Sequence, residues 1–206
     1  MKSKLLALLA TVALAGVSNA FIVTIESGFD KAVTTSNDLP VASGSGFVAT
    51  GFFTSLSDAQ LATSTSATLQ GAFQLFGTSG TFGFGGFGGV YEVESAGGRI
   101  GAASAFANQS IYTILGNGTT IGNSTEFVIY KHAGTFQIDD ADANDKTFNA
   151  TLGGAGGAYL MGSVTGGTVE IAGQPFPQVE MAVAVPEPSA ALLGLLGAVG
   201  LIRRRR

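Results

Sequence analysis

Residues 139–145, Asp-Asp-Ala-Asp-Ala-Asn-Asp, are the densest set of oxygen ligands in the chain. Asp140, Asp142 and Asn144 follow the alternate spacing with which the start of an EF-hand loop feeds calcium, a hard cation that takes roughly six to eight oxygen donors. The rest of that pattern is missing. Asp145 stands where the sharp turn needs glycine, and Thr151 stands where the bidentate glutamate would close the shell. A weak surface calcium site on Asp140, Asp142 and Asn144 is the one metal expectation, and a solvated acidic turn is its alternative.

Other reactive groups are few. His132 is the single histidine, which excludes histidine metal clusters, and its place after the apolar run 127–131 predicts an exposed turn residue. The absence of cysteine excludes thiol chemistry, thiolate zinc sites and disulfides. No Gly-x-Ser-x-Gly elbow singles out a serine. Gly83, Gly85 and Gly88 match G-x-G-x-x-G, but no helix-forming run follows and no βαβ pattern surrounds them, so a dinucleotide site is rejected. Glu92 and Glu94 alternate and therefore share one face of a strand. Two carboxylates across a sugar ring suffice for glycoside hydrolysis, yet a solvated strand face explains them more simply, and there is no Trp to stack on sugars. No catalytic constellation is expected, and the chain is read as a non-enzyme.

The elements that must position these groups read mainly as strands. Phe21, Val23 and Ile25 alternate with Ile22, Thr24 and Glu26; 90–94 and 179–183 alternate similarly; further strands are expected at 46–53, 111–115, 127–131, 136–138, 158–165 and 168–171. Short strands between Gly, Asn, Asp and Ser clusters predict a single antiparallel β-sandwich or rolled-sheet domain. One or two short helices interrupt it, at 56–61 and 67–76, with Leu69, Phe73 and Phe76 on one helical face; Ser and Thr at 63–66 and 68 leave strand open as the alternative there. The Gly-rich segment 77–89, without a charge, predicts a mobile loop or a loosely packed Phe-bearing hairpin.

The two ends differ from this body. Lys2 and Lys4, an apolar run 5–17 and Ser18-Asn19-Ala20 make a secretory signal peptide over 1–20, with Phe21 the first mature residue. At the other end Val185-Pro186-Glu187-Pro188 precedes an apolar run that closes on Arg203, Arg204, Arg205 and Arg206. The prolines disfavour helix before the run, and 190–202 is expected as a short transmembrane helix whose arginines stop on the cytoplasmic side. Between the ends, residues 21–184 form an exported β-rich domain. Lys31, Arg99, Lys131 and Lys146 face thirteen acids from Glu26 to Glu180, a balance of 4 − 13 = −9 that repels nucleic acid and other polyanions.

The segment VPEPSAALLGLLGAVGLIRRRR, residues 185–206, resembles the sorting tail of bacterial PEP-CTERM proteins. That resemblance implies processing by an exosortase, a membrane protease acting near Val185, Pro186, Glu187 and Pro188, with Arg203–Arg206 as the cytoplasmic stop. It also implies export across the cytoplasmic membrane of a Gram-negative-type bacterium, a transient single-pass precursor, and a final place in the envelope or an exopolysaccharide matrix. A second likeness, over 46–136, is to small PEP-CTERM domains of unknown function in which a short helix precedes two strands; it is carried by GFVATGFFTSLSDAQL, LQGAFQLFG, QSIYTILGN and STEFVIYKHAGTF. The expected role is a noncatalytic structural or adhesive envelope component, with partners among exopolysaccharide or envelope constituents. A secreted glycan-binding module or glycan hydrolase is the alternative. If the signal is removed during export, N-terminal sequencing of the mature protein begins at or next to Phe21; a mature chain that keeps Met1 refutes this.

Overall fold

The computed structural model describes residues 21–27, 31–138 and 146–186. In chain order these form β1 (Phe21–Glu26), β2 (Ala32–Thr34), β3 (Phe47–Phe53), α1 (Asp58–Leu61), α2 (Ser66–Ala72), β4 (Phe73–Leu75), β5 (Glu92–Gly97), β6 (Ser110–Gly116), β7 (Glu126–Thr135), β8 (Lys146–Thr151), β9 (Ala158–Met161), β10 (Ser163–Ile171), β11 (Gln174–Glu180) and β12 (Ala182–Val183).

Three sheets result. The largest runs β12-β7-β6-β3-β4, with β9 also on β7, and every pair in it is antiparallel. A second runs β5-β1-β8, antiparallel on one side of β1 and parallel on the other. The third runs β10-β11-β2, and β11 lies parallel to β2. The single antiparallel sandwich or rolled sheet expected from the sequence is thus overturned: the domain is β-rich and mostly antiparallel, but its sheets are separate and two of them are mixed. Alternation along a strand dictates which face is buried; it carries no information about which distant strand lies alongside or in which direction.

β1 shows the alternation most cleanly. Phe21, Val23 and Ile25 are buried in the main core, whereas Ile22, Thr24 and Glu26 face outward and are only half-buried. At the centre of the largest sheet both faces are covered, so β6 is buried from Ile111 to Gly116 and reads as a largely apolar run with Thr113 its one buried polar side chain besides the Tyr112 hydroxyl.

Helices form at both expected places, though shorter than the apolar spacing suggests. Ser57 N donates to Gln60 Oε1 at 2.9 Å at the start of α1, and Thr68 N donates to Thr65 Oγ1 at 3.1 Å at the start of α2. The Ser/Thr run between them therefore supplies, through Thr65, the N-cap of α2 rather than strand. Beyond Ala72 the chain straightens into β4. Leu69, Phe73 and Phe76 are all buried, but only Leu69 is helical.

The Gly-rich segment is neither a free loop nor a hairpin. Gly80 exchanges two backbone hydrogen bonds with Val48, at 2.8 and 2.9 Å, and Phe82 is buried with its ring edge-on to Tyr91 at 5.5 Å. A single 3-10 turn, Phe84–Gly86, follows.

The expected transmembrane helix is likewise corrected: no helix among the described residues is long and apolar enough to cross a membrane. The segment 190–202 to which that expectation applied lies outside the described residues, as do the signal peptide 1–20, the acidic run 139–145 and the tail from Glu187.

Gly51 shows how closely the edge strand is fitted. It pairs with Leu75, and a methyl group there would overlap the Gln74 carbonyl and the Phe73 ring. Gly51→Ala is expected to destabilise the domain by about 1–3 kcal/mol, read as a lower urea midpoint at unchanged slope. An unchanged midpoint would show that β4 is not held against β3 in solution.

Candidate functional site

One concavity lies where the ends of β1 and β5 meet the Gly-rich loop and the turn of the β10–β11 hairpin. It is a cleft of about 190 Å³ lined chiefly by apolar groups: Phe84 and Phe87 from the loop, Val90, and Ile171 and Phe176 from the hairpin. Ile171 closes β10, and Ala172 and Gly173, both at positive φ (52° and 76°), turn the chain so that Gln174 pairs with Ile171. Two successive left-handed residues define the tight hairpin turn that folds the arm back on itself. The arm is held down by a satellite apolar cluster in which Ala32, Val90 and Ile171 are packed by Val169 and Phe176.

Glu26 and Glu92 stand at the cleft. They are directly opposed residues of β1 and β5, so both side chains leave the same face of that sheet. Thr151 of β8, opposite Glu26 on its other side, donates its hydroxyl to Glu26 Oε1 at 2.7 Å. Glu94, opposite Thr24, lies on the same face one pair further along and does not line the cleft. Glu92 and Glu94 do share the exposed strand face that their spacing implies; what the sequence did not show is that Glu26 of β1 stands directly opposite Glu92. Phe84 and Phe87, exposed by 40% and 45%, were also hidden in the sequence, where flanking glycines suggested only looseness. The buried Tyr91 hydroxyl finds no hydrogen-bond partner among the described residues, and burial, chiefly, raises its pKa well above the usual phenol value.

A second polar cluster pins α1 to the largest sheet. Asp58 accepts from Tyr112 Oη at 2.9 Å and from Lys131 Nζ at 2.8 Å, and Lys131 sits 5.7 Å from the Tyr112 ring centre. Lys131 holds the Asp58 carboxyl below its usual range, and Asp58 raises Lys131 in return; burial, chiefly, raises Tyr112. Tyr112 and Lys131 are cross-strand neighbours, so the cluster is a helix anchor partly open to solvent.

His132 is not the exposed turn residue its sequence position suggests. β7 continues through it to Thr135, and the imidazole is 7% exposed. Its Nε2 lies 2.8 Å from Thr113 Oγ1 on β6, and its ring meets Tyr130 and Phe148 edge-on at 4.9 and 5.9 Å. The ring borders a recess of about 270 Å³ with Gly134, Phe148 and Asn149. Burial lowers its pKa from 6.5 to about 4, so at neutral pH it is an uncharged member of the core.

The calcium expectation on Asp140, Asp142 and Asn144 lies outside the described residues. Of the sorting residues, Val185 and Pro186 are described and exposed; Glu187, Pro188 and Arg203–Arg206 are not described.

The His132 environment makes stability depend on pH with a definite sign. The folded pKa lies below the unfolded one, so between pH 6.5 and about 4 the unfolded chain binds the proton that the folded chain refuses. The contribution is intact above pH 6.5 and is lost as pH falls toward 4, by roughly 3 kcal/mol at most. Denaturant titrations at pH 7 and pH 4.5 should therefore show a smaller acid loss in His132→Gln than in the wild type. Equal losses would mean that His132 is accessible and titrates normally.

Comparison of the chain with protein-family models, with curated proteins and with solved structures returns no match.

Proposed function

We propose that this chain is an exported, noncatalytic component of a bacterial cell envelope or its exopolysaccharide matrix, structural or adhesive in role, delivered through a PEP-CTERM-type tail that an exosortase-type membrane protease recognises. The observation that carries the proposal is the order of three parts at the C-terminus: Val185-Pro186-Glu187-Pro188, the apolar run 189–202, and Arg203–Arg206.

The way the folded body ends supports this reading. Val183 of β12 pairs with Glu126, and Ala184 N donates to Thr125 O at 2.8 Å. Val185 and Pro186 then stand exposed, so the start of the recognition segment lies outside the fold. A protease needs accessible, extended backbone, and a proline keeps that backbone from being taken up by a helix or ladder. The other end supports it too: the ring of Phe21 at the start of β1 is buried, so a chain cut after Ala20 keeps β1 and the described core whole. The acidic excess of the body suits a hydrated matrix and disfavours nucleic acid as a partner.

One observation favours the alternative of a secreted glycan-binding module or glycan hydrolase. Glu26 and Glu92 line a single cleft with aromatic side chains, which is the raw material of carbohydrate recognition.

The sorting proposal is tested at the C-terminus. Intact-mass measurement on surface protein from wild-type cells is expected to show loss of everything beyond the neighbourhood of Val185–Pro188, whereas cells lacking the exosortase retain a precursor ending at Arg206. Replacing Pro186, Glu187 and Pro188 by alanine should preserve the same precursor. Mature wild-type protein that ends at Arg206 refutes the proposal.

A further inference from the structure

We infer that the cleft between the Gly-rich loop and the β10–β11 turn is a binding site for an organic cation: an ammonium group carried on an apolar or ring-shaped body.

Its walls are hydrophobic and aromatic. Phe84 and Phe87 present large exposed surfaces, and Val90, Ile171 and Phe176 continue the apolar lining. Such surface attracts the carbon face of a ligand through loss of water, and an aromatic face also attracts a cation through its quadrupole.

The charge at the cleft is of one sign. Glu26 and Glu92 are opposed directly across neighbouring strands, an arrangement in which like charges repel, and among the described residues no lysine or arginine lines the cleft. A neutral hydrophobic ligand would leave that repulsion in place, and an anion would increase it. A cation seated between the two carboxylates relieves it while its apolar body occupies the aromatic end. The Thr151 hydroxyl on Glu26 Oε1 fixes one carboxylate from the β8 side, which leaves Glu92, at the exposed edge, as the more adjustable partner. The body's charge balance of −9 attracts cations at longer range, so association should weaken with salt.

A free amine and an amino sugar both offer this chemistry, and the two sources can be separated. The inference rests on the cleft and not on the sorting tail, so its failure would leave the export reading standing.

The test is calorimetric titration of the purified mature protein with two ammonium probes, phenethylammonium and a glucosamine tetramer, each beside its neutral counterpart, phenethyl alcohol and the N-acetylated tetramer. Saturable binding is expected for at least one ammonium probe, about tenfold tighter than its neutral counterpart. The probe that binds identifies the source. Glu92→Gln and Phe87→Ala alter exposed side chains and should leave the urea midpoint within about 0.5 kcal/mol of wild type while each weakens binding several-fold. Glu94→Gln, on the same face but outside the cleft, should leave binding unchanged. Equal affinity for charged and neutral members, equal loss in Glu94→Gln and Glu92→Gln, or no saturable binding of either ammonium probe would overturn the assignment.

Discussion

The packing of one phenylalanine ring seats the β5-β1-β8 sheet against the largest one. Phe76, just past β4, meets Phe21 of β1 edge-on at 5.7 Å, Phe106 edge-on at 5.2 Å and Phe136 at 4.9 Å; Phe106 in turn meets Phe52 of β3 at 5.1 Å. Aromatic pairs at these separations contribute about 0.5–1.5 kcal/mol each beyond the area they bury. The chain has no cysteine, so no disulfide can do this work. The ring even sets a glycine in β5, because a side chain at Gly97 would enter the space that Phe76 fills. Everything on the outer face of β1, including the cleft, depends on this cluster keeping β1 and β5 seated against the largest sheet.

That dependence explains which parts of the fold could be read from the chain. Strands with a buried and an open face announce themselves, as β1 does through Phe21, Val23 and Ile25. The largely apolar runs within β3, β6 and β7 were also legible, because burial on both faces keeps polar residues few, with Thr50 and Thr113 the buried exceptions in β3 and β6. β2 is three residues long and β8 carries only Phe148 and Ala150 as apolar residues, so neither has a periodicity to detect. Both are the strands that pair parallel, and without them the remaining pattern looks wholly antiparallel. β4 was hidden for another reason: Leu69, Phe73 and Phe76 fit a helical stripe, and only the fit of β4 against Gly51 shows that the last two belong to extended chain.

The candidate site was less legible than the fold, and for a related reason. Glu92 was visible as a strand carboxylate, but its significance lies in Glu26, more than sixty residues earlier, and pairing of that kind is set by tertiary contacts rather than local sequence. His132 illustrates the converse. Its place after the apolar run 127–131 pointed to an exposed turn, yet Thr113 on the neighbouring strand supplies a hydrogen bond that lets an imidazole be buried uncharged.

The glycine content, which in the sequence looks like simplicity, follows from the path the chain must take to build the cleft. Gly89 adopts φ 76° and donates to Val41 O while its own carbonyl accepts from Val33 N, so the loop is threaded between β2 and the irregular segment around Val41 that precedes β3. A side chain at Gly89 would meet the Val33 carbonyl as well as suffer the left-handed backbone, which is a double reason for glycine. With that passage fixed, Gly83 N donates to Val90 O and the 3-10 turn carries Phe84 and Phe87 outward. Those two rings are therefore exposed on a tethered scaffold, not on a floppy one. A tethered aromatic wall loses little conformational entropy when it closes on a ligand, which is why a segment of such low complexity can form one side of a binding site.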